Sequence, residues 1–476
     1  MATRPSRSLA AVVMAAGKGK RLKSALPKAL HPVCGRPVLW HVLAALRPVR
    51  PERVVVVISH GGRQVEEAVR SWDLALPLRF VDQGQPLGTG HAVMAAEKAV
   101  GRARDVLVLP GDNPLITTEM IRDLLRVHRR RIPAATVQTT TLPDATGYGR
   151  VIREGRRLVR IAEERDASPE ERAVNEIATS VYAFRREDLY RALPAVGRDN
   201  SQREHYLPDV LRILADKGED ILAVEADFGG ALDVNSRAAL ARAGAAMRRR
   251  INERHMANGV TIADPSQTYI DAGVRIGADT TILPVTFLEG TTVIGKGASI
   301  GPGARIVDSR VGDGAEVQFS VVRGARVGSQ ATVGPYASLR PDTVLAKGAK
   351  AGTFVEIKAS RVGEGAKVPH LAYVGDARVG AEANVGAGTI TCNYDGYEKH
   401  RTVIGPGAFI GSDTMLVAPV TVGREAVTGA GSTITKNVPA GALAVERAEQ
   451  RTVKGYTERR KKARRRGGKA PRGGQA

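Results

Sequence analysis

The second half of the chain carries a sixfold hydrophobic pattern between Ile276 and Ile434. A helix repeats every 3.6 residues and an ordinary strand every second residue, whereas each unit of a hexapeptide β-helix is one short strand with one inward side chain. Burial of each inward aliphatic contributes on the order of 1.5 to 3 kcal/mol. The pattern therefore predicts stacked three-sided coils around a core of Ile276, Ile282, Leu288, Ile294, Ile300, Ile306, Val333, Leu339, Leu345, Ile404, Ile410, Leu416 and Val422.

The sixfold pattern stops over residues 391–402, where the sequence reads TCNYDGYEKHRT. Twelve largely polar residues cannot stay inside a coil with an apolar interior. They predict a loop that leaves the coil, and loops on rigid scaffolds are places where function is concentrated.

The first half, up to about Arg237, alternates apolar strand-like runs with helical stretches. The predicted strands are 9–14, 54–58, 106–109, 136–141 and 180–184, and the clearest helices are 38–46 and 64–71. This alternation predicts an α/β doubly wound (Rossmann-like) sheet whose ligands lie at the carboxyl ends of its strands. The Ala- and Arg-rich residues that follow predict a connecting helix.

These patterns divide the 476-residue chain into an α/β domain (1–237), a linker helix (238–258), a β-helix (259–456) and a basic tail (457–476). The net charge of +22 is concentrated partly in the tail, which we predict to be disordered and solubilising. We therefore do not expect nucleic acid as a partner, although a polyanion-binding protein that works through its tail is an alternative hypothesis.

The chain has two cysteines, Cys34 and Cys392, one in each predicted domain. This distribution disfavours a structural disulfide and indicates a reducing compartment. The first 17 residues resemble a short signal peptide, but their apolar run serves better as the first strand. No run reaches the length of a membrane span. We predict a cytoplasmic protein without membrane insertion.

A glycine-rich loop, AAGKGKR, follows the first predicted strand. Its glycines allow backbone N–H groups to approach phosphates, and Lys18, Arg21 and Lys28 can offset the charge of a phosphoryl transfer. The loop is neither a Walker motif nor a dinucleotide fingerprint. Asp112 lies at the carboxyl end of another predicted strand, where it either holds Mg²⁺ against a triphosphate or caps the next helix.

Only two histidines, His370 and His400, occur in the predicted β-helix, which disfavours a zinc site built from three imidazoles. His370 has polar neighbours in the pattern, among them Arg340, Glu356 and Lys358. A neutral imidazole can accept a proton from an attacking amine. His370 is therefore a candidate general base, with a purely structural role as the alternative.

Several motifs carry a resemblance to known families. The loop AAGKGKR, the segment LGTGH, Gly111-Asp112 and Val234-Asn235 resemble sugar-nucleotide pyrophosphorylases. GPYASLRP, GTFVEIK, HLAYVGDA and NVGAGTITCNYDG extend the likeness over residues 8 to about 455. The chain thus resembles the bacterial enzymes that are both N-acetylglucosamine-1-phosphate uridyltransferases and glucosamine-1-phosphate N-acetyltransferases. The resemblance implies a left-handed parallel β-helix.

For the first half, the resemblance implies attack of N-acetylglucosamine 1-phosphate on the α-phosphorus of UTP, with release of pyrophosphate. Asp112 and Asn235 would hold Mg²⁺, and Arg21 and Lys28 would stabilise the transition state. The implied nucleotide and sugar contacts are Met14, Ala15, Ala16, Gly17, Lys28, Gln83, Gly88, Thr89, Pro110, Gly111, Asp112, Gly149, Glu163 and Asn235.

For the second half, the resemblance implies acetyl transfer from acetyl-CoA to glucosamine 1-phosphate before uridylylation, giving UDP-N-acetylglucosamine, a cell-wall precursor. His370 would be the general base and Glu356 would orient it. The implied sugar-phosphate ligands are Arg340, Lys358, Tyr373 and Asn384, and the implied acetyl-CoA contacts are Ala387, Asn393, Tyr394, Ser412, Ala430 and Arg447. Such enzymes are homotrimers with shared sites.

The chain departs from that family at residues 176–180, which read Glu-Ile-Ala-Thr-Ser where Glu-Ile-Asn-Thr-Gly is usual. Ala178 thus replaces an asparagine that contacts the sugar, which predicts weaker or altered sugar selectivity in the uridyltransferase. A remaining alternative for the whole chain is a single-activity pyrophosphorylase whose β-helix is structural or regulatory.

Overall fold

The computed structural model describes residues 8–17, 19–59, 61–227 and 233–465, except for the side chain of Lys20. The chain divides after Thr292 into two compact units, which are taken in turn below.

The first unit contains an α/β domain. Its strands are β1 (Leu9–Met14), β2 (Pro32–Val33), β3 (Arg36–Pro37), β4 (Arg53–Ile58), β5 (Leu78–Asp82), β6 (Asp105–Pro110), β7 (Ala135–Thr141), β8 (Arg150–Glu154), β9 (Arg157–Ala162), β10 (Glu176–Arg185) and β11 (Ile221–Glu225). Its helices are α1 (Val38–Leu46), α2 (Gly62–Arg70), α3 (Thr89–Ala95), α4 (Glu97–Val100), α5 (Thr118–Arg131), α6 (Pro169–Arg172), α7 (Arg186–Ala192), α8 (Asp209–Asp216) and α9 (Arg237–Ala257). Each strand and helix predicted above corresponds to one of these elements.

Nine of these strands form one sheet with the main order β11-β7-β10-β6-β1-β4-β5. Strand β1 runs parallel to both β4 and β6, so Met14, Ile58 and Pro110 end at the same edge. Strand β10 is antiparallel to β6 and β7, and the β8–β9 hairpin is attached to it. The Rossmann-like character is confirmed, and the antiparallel direction of β10 is a feature that the pattern did not reveal.

The central parallel strands β1, β4 and β6 are apolar apart from Arg53 and Asp105 at their first positions, because the sheet is covered by helices on its faces. Every residue of β6 is buried, and only Met14 of β1 is partly exposed. The polar residues of this domain are therefore concentrated in the loops that follow the carboxyl ends, and these loops build the first site.

Helix α9 joins the α/β domain to the first coil of the β-helix within the same unit. Ser236 caps the helix by accepting a hydrogen bond from Ala239 N at 3.1 Å. The fully buried Asn252 donates to the carbonyl oxygens of Pro265 and Thr268 at 2.9 and 3.1 Å. The first coil, with strands Thr261–Ile262, Thr268–Ile270 and Arg275–Ile276, and the next two strands, Thr281–Ile282 and Thr286–Glu289, belong to the first unit.

The second unit consists of three parallel sheets that form the sides of the coils. The first side comprises Ser299–Ile300, Glu316–Val317, Thr332–Val333, Lys350–Thr353, Lys367–His370, Asn384–Val385, Phe409–Ile410, Val427–Thr428 and Leu443–Ala444. The second comprises Arg305–Val307, Val321–Arg323, Ser338–Leu339, Glu356–Lys358, Tyr373–Gly375, Ile390–Cys392, Met415–Val417 and Thr433–Ile434. The third comprises Val293–Ile294, Arg310–Val311, Arg326–Val327, Val344–Leu345, Arg361–Val362, Ala377–Val379, Thr402–Ile404 and Val420–Val422.

The aliphatic residues predicted to point inward do form the core of the coils. All of them except Ile276, which is half-buried, are at most 2% exposed. Each coil hydrogen-bonds to the next through pairs such as Leu339 with Ile357 and Ile357 with Val374. The predicted β-helix of hexapeptide repeats is therefore confirmed.

The tail differs from its prediction. Tyr456–Arg465 form an exposed helix, α10, so the expectation of disorder is wrong for the part of the tail that the structure describes. Arginine, lysine and alanine are good helix formers, and their propensity outweighs charge repulsion here. Residues 466–476 lie outside the described residues. None of the helices in the described part of the chain is long and apolar enough to cross a membrane.

Candidate active sites

A cavity of about 650 Å³ opens at the carboxyl ends of β1, β5 and β6 in the first unit. Most of the predicted nucleotide and sugar contacts line it: Met14, Ala15, Ala16, Gly17, Lys28, Gln83, Gly88, Thr89, Pro110, Gly111, Asp112, Gly149 and Glu163. The topology explains this convergence, because neighbouring parallel strands deliver their following loops to one edge. The structure thus brings together residues that lie far apart in the sequence.

The glycine-rich loop is held at this edge by backbone contacts. Ala15 N donates to Val57 O at 2.8 Å, and the Ser59 hydroxyl donates to Ala16 O at 2.7 Å. Gly111 approaches the same loop so closely that a Cβ on it would lie 2.7 Å from Met14 O. Only glycine fits there, which accounts for its place beside Asp112.

The ammonium of Lys28 lies between two oxygen donors. It forms an ion pair with the Asp112 carboxylate and donates a hydrogen bond to Oδ1 of Asn235. Asn235 is therefore at the site although it does not line the cavity. The three side chains were predicted to act together, and the structure places the two expected metal ligands around one positive charge.

Asp233 and Tyr148 extend this group, and the sequence analysis did not assign either of them a role. Both line the cavity, and the Tyr148 hydroxyl donates to the Asp233 carboxylate. Burial and the nearby Asp112 raise the pKa of Asp233, and burial also raises the pKa of Tyr148. Among the described residues, no three His, Cys, Asp or Glu side chains form a group that could hold a metal ion.

Arg21 lies apart from the cavity lining. It is exposed on the short 3-10 helix Lys20–Leu22, directly after the glycine-rich loop. Its predicted contribution to transition-state stabilisation stays a prediction. Lys18 lies outside the described residues.

Gln83 organises the opposite wall of the cavity. Its amide donates to Gly88 O at 3.0 Å and contacts Nδ1 of His91 at 3.1 Å. Gly88 has a φ of 111°, and a Cβ on it would lie 2.5 Å from His205 O. This turn is thereby pressed against the segment around His205, and a larger residue than glycine would separate the two.

The segment 202–206 supplies wall residues that the sequence analysis missed, namely Gln202, Glu204 and Tyr206. It is fixed by backbone hydrogen bonds from Gly90 N to His205 O and from His205 N to Leu87 O, both 2.8 Å. These contacts join residues more than a hundred positions apart and leave no local pattern. The one signal in the sequence is that this polar stretch does not fit a long helix.

Glu163 is the most strongly perturbed carboxyl group of the cavity. Burial, with Asp209 and Asp166 nearby, raises its pKa to about 7. A carboxyl that is protonated at or just below neutral pH can donate a hydrogen bond to a sugar hydroxyl or accept one when ionised. This property fits its predicted role as a sugar contact.

The raised pKa of Glu163 makes the stability of the first unit pH-dependent. Because the folded-state value lies above the ordinary 4.5, stability is complete below about pH 4.5 and is lost as the pH rises through about 7. We expect Glu163→Gln to match the wild type in melting temperature at pH 5 and to exceed it by several degrees at pH 8, from a free-energy difference of about 3 kcal/mol at most. Differential scanning fluorimetry across this range measures the effect. The exposed Glu154→Gln serves as control, and parallel curves for Glu163→Gln and the wild type would contradict the prediction.

Ala178 and Ser180 lie on β10 where its pairing with β7 is irregular, between Ala178 and Tyr182. Both residues line the cavity, so the family asparagine would have faced it. Ser180 has a φ of 61°, which is the left-handed region that favours glycine. The usual glycine at this position is thus explained by backbone geometry, and this chain keeps the geometry with a serine.

The second unit carries the other candidate site along one corner of the coils, between the first and second sides. His370 ends the strand Lys367–His370 and is exposed. It lies one coil above Thr353, and the register that pairs Lys367 with Asn384 places Ala387 one coil above His370.

The same corner continues upward through the predicted acetyl-CoA contacts. Asp413 N donates to Ala387 O at 2.6 Å, and Gly431 N donates to Ser412 O at 2.8 Å. The guanidinium of Arg447 donates to Ala430 O at 2.8 Å. Ala387, Ser412, Ala430 and Arg447 therefore follow one another in a column that starts at His370, although the sequence separates them by up to 25 residues.

The second side presents the predicted sugar-phosphate ligands next to this corner. Arg340 donates to Oε1 of Glu356 at 2.8 Å, and this ion pair raises the pKa of Arg340. Tyr373 is paired with Glu356 in the next coil. None of the described residues hydrogen-bonds to the His370 ring, so the orienting role of Glu356 stays a prediction and its carboxylate here binds Arg340.

Lys358 stands in a small cluster of charges on the same side. Its ammonium is 3.8 Å from Oδ2 of Asp376, which also accepts a hydrogen bond from the Asn393 amide. Lys399 lies beside Lys358, and this proximity lowers the pKa of Lys399. A pair of ammonium groups next to a guanidinium suits a phosphate dianion. Lys399 was not assigned in the sequence analysis.

Residues 393–401 form a loop outside the coil, but the prediction of 391–402 was too long at both ends. Thr391, Cys392 and Thr402 remain in strands of the coil, where the buried Thr391 hydroxyl bonds to the backbone of Gly375. Asp395 fixes the turn of the loop by accepting hydrogen bonds from the backbone N of Tyr397 at 2.8 Å and of Glu398 at 2.7 Å, and from the His400 ring at 2.7 Å. Tyr394 at the start of the loop is 61% exposed. The loop is thus an ordered hairpin that leaves Tyr394 accessible, as expected for a predicted acetyl-CoA contact.

Comparison with known proteins gives the family. The model for the MobA-like NTP transferase domain matches residues 11–207, and the model for the bacterial transferase hexapeptide (six repeats) matches residues 401–436. The bifunctional protein GlmU of Desulfitobacterium hafniense strain Y51 is 46% identical over 454 residues, which are 95% of this chain and 99% of the relative. The chain belongs to the GlmU family. The GlmU proteins of Streptomyces avermitilis and Heliobacterium modesticaldum are 47% and 48% identical, over 96% and 95% of this chain and 95% and 98% of the relatives.

Membership of the GlmU family confirms the predicted enzyme class. The chain combines a nucleotidyltransferase domain with a hexapeptide-repeat acetyltransferase domain, and the curated relatives carry the word bifunctional in their name. The alternative of a single-activity pyrophosphorylase does not fit these relatives.

Proposed function

We propose that this GlmU-family chain makes UDP-N-acetylglucosamine in two steps. Glucosamine 1-phosphate is first acetylated by acetyl-CoA at the His370 corner, and the product then reacts with UTP in the cavity of the first unit. The observation that carries the proposal is the presence of two separate polar sites, one in each compact unit, in a chain that matches bifunctional relatives over 95% of its length. The product is a precursor of the bacterial cell wall.

In the uridyltransferase site, the residues fit a divalent cation. Asp112 and Asn235 offer a carboxylate and an amide oxygen to the same positive charge, that of Lys28, and oxygen donors of this kind suit Mg²⁺. Bound Mg²⁺ would neutralise negative charge on the phosphates of UTP. The backbone N–H groups of the loop around Gly17 would bind the phosphates, and Lys28 and Arg21 would offset the charge that develops as pyrophosphate leaves.

In the acetyltransferase site, His370 would accept the proton of the amine as its nitrogen attacks the thioester carbonyl, and coenzyme A leaves as the thiol. Its exposed ring at a corner leaves room for both substrates. Arg340, Lys358 and Lys399 would hold the phosphate of glucosamine 1-phosphate. The column from Ala387 to Arg447 would hold acetyl-CoA, whose chain extends upward from the base.

We also propose a homotrimer. The rings of Phe319, Tyr336 and Phe354 stack at 5.8 and 5.3 Å along the corner below His370, and all three are largely exposed. Exposed apolar side chains in a row indicate a surface that a neighbouring copy covers. A second copy at this corner would also close the open acetyltransferase site.

A cytoplasmic location completes the proposal. Cys34 and Cys392 are both free thiols in the structure, and burial raises the pKa of Cys34 to about 11, which keeps it protonated. Free thiols in two separate units suit a reducing compartment.

The test is a coupled assay on the full-length protein with glucosamine 1-phosphate, acetyl-CoA, UTP and Mg²⁺, in which coenzyme A and pyrophosphate are followed separately. We expect coenzyme A release without UTP, and pyrophosphate release only when acetylated sugar is formed or added. Pyrophosphate release with unacetylated glucosamine 1-phosphate at the same rate would contradict the proposed order of the two steps.

The substitution at Ala178 gives a prediction for the uridyltransferase. Ala178→Asn restores an amide that faces the cavity, and one regained hydrogen bond is worth roughly 0.5 to 1.5 kcal/mol. We expect the KM for N-acetylglucosamine 1-phosphate to fall by about 2- to 10-fold, with acetyl transfer unchanged. Steady-state rates of pyrophosphate release measure this. Ala238→Asn on the exposed start of α9 is the control, and an unchanged KM in Ala178→Asn would contradict the prediction.

A further inference from the structure

Asp233 places a second carboxylate beside the predicted cation ligands of the uridyltransferase site. None of the motifs that carry the family resemblance includes it. It lines the same cavity as Asp112 and Lys28, and its charge interacts with both of them.

The backbone holds Asp233 in this place. Val234 N donates to Asp112 O at 3.0 Å, and Val234 itself is fully buried. This contact anchors the residues on either side of Val234 next to Asp112. Asn235 on one side reaches Lys28, and Asp233 on the other side faces the cavity.

The side-chain contacts orient the Asp233 carboxylate without neutralising it. Tyr148 donates a hydrogen bond to it from a hydroxyl that carries no charge. Two carboxylates, Asp112 and Asp233, lie near the ammonium of Lys28, and the guanidinium of Arg242 interacts with the adjoining Tyr148. Two partly buried carboxylates repel one another unless further positive charge lies between them.

We propose that Asp233 is a third oxygen ligand of the divalent-cation site, alongside Asp112 and Asn235, and that Tyr148 is its positioning residue. The proposal rests on the cation site of the proposed function and adds one residue to it. A carboxylate, an amide and a second carboxylate form an all-oxygen set that suits a hard divalent cation. The expected consequence is a tighter cation site than Asp112 and Asn235 would provide alone.

Direct binding of Mn²⁺ to the full-length protein tests this without relying on activity. The electron paramagnetic resonance signal of free Mn²⁺, titrated with protein in the absence of nucleotide, gives the affinity. We expect Asp233→Asn to weaken Mn²⁺ binding about tenfold, in the range found when groups that support a metal site are removed. The exposed Asp123→Asn on α5 should bind Mn²⁺ like the wild type.

Two further variants decide between explanations. Tyr148→Phe keeps both carboxylates and removes only the hydroxyl, so we expect a smaller loss than in Asp233→Asn. An equal loss in both would show that the hydrogen bond rather than the charge matters and would overturn the proposal, as would wild-type affinity in Asp233→Asn. Wild-type affinity in Asp112→Asn would instead overturn the cation site of the proposed function. Asparagine still accepts the Tyr148 hydrogen bond, and melting temperatures in EDTA verify that each variant is folded.

Discussion

Replacing His370 by alanine is expected to lower acetyl transfer by about 10²- to 10⁴-fold, the range that a positioned general base contributes. Pyrophosphate release from UTP and N-acetylglucosamine 1-phosphate should be unchanged, because the cavity for that reaction is built entirely from the first unit. The reason for the loss is that the amine of the sugar must lose a proton as it attacks. His370, among the described residues of the second unit, carries the imidazole at the start of the column, and this imidazole would accept that proton.

The matched control is Glu364→Ala, an exposed substitution at another corner of the same coil. Coenzyme A release with glucosamine 1-phosphate and acetyl-CoA measures the first activity, and pyrophosphate release measures the second. The loss should persist at saturating substrate, because it affects kcat rather than binding. If both activities fell together, or if acetyl transfer survived, the assignment of the base to His370 would be wrong.

The converse result is expected for Asp112→Asn. This variant keeps the size of the side chain and removes its charge, which interacts with Lys28 and would hold the cation. We expect uridylyl transfer to fall by about 10²- to 10³-fold, as when a group that stabilises developing charge is removed, and acetyl transfer to stay at the wild-type level. The exposed Asp123→Asn again controls for the loss of one negative charge.

Rates of pyrophosphate release over a range of Mg²⁺ concentrations check this prediction. A variant that regains full activity at high Mg²⁺ would show that Asp112 contributes to cation affinity but is not required in the transition state. Retained activity at ordinary Mg²⁺ would contradict the prediction. Together with His370→Ala, this variant separates the two reactions within one chain.

The β-helix could be predicted from the sequence because each coil repeats the same local hydrophobic pattern. An inward aliphatic such as Leu339 or Ile410 recurs in every six residues, so the repeat can be recognised without knowing which distant residues it contacts. A loop was predicted over residues 391–402 because Asp395 and its neighbours break this pattern, and the structure narrows it to 393–401. His370 was identified as a candidate because it has polar neighbours within this regular repeat.

In the α/β domain the pattern predicted β1, β4, β6, β7 and β10, but neither the other strands nor the strand directions. A buried strand such as β10 has the same composition whether it runs parallel or antiparallel to β6, so its direction depends on the connection rather than on the pattern. The irregular pairing near Ala178 and the left-handed Ser180 lie on this strand. The sequence marked this segment only through its departure from the family.

Asp233 and the segment around Tyr206 show where sequence reasoning stops. Asp233 reaches the cation site through a backbone hydrogen bond from its neighbour Val234 to Asp112, more than a hundred positions away. Such a contact depends on how both segments of the chain fold, and it leaves no recognisable spacing in the sequence. The motif Val234-Asn235 pointed to Asn235, two residues later, and did not include Asp233.

The column at the β-helix corner has equally spaced levels, one for each coil. Neighbouring coils are about 4.8 Å apart, so three steps separate the His370 level from the Ala430 level by about 14 Å. That span is set by counting whole turns, because the hydrogen bonds from Asp413 to Ala387 and from Gly431 to Ser412 fix the register of each step. An insertion or deletion that preserved the fold would therefore change the length of the column by a complete increment, never by a fraction of one.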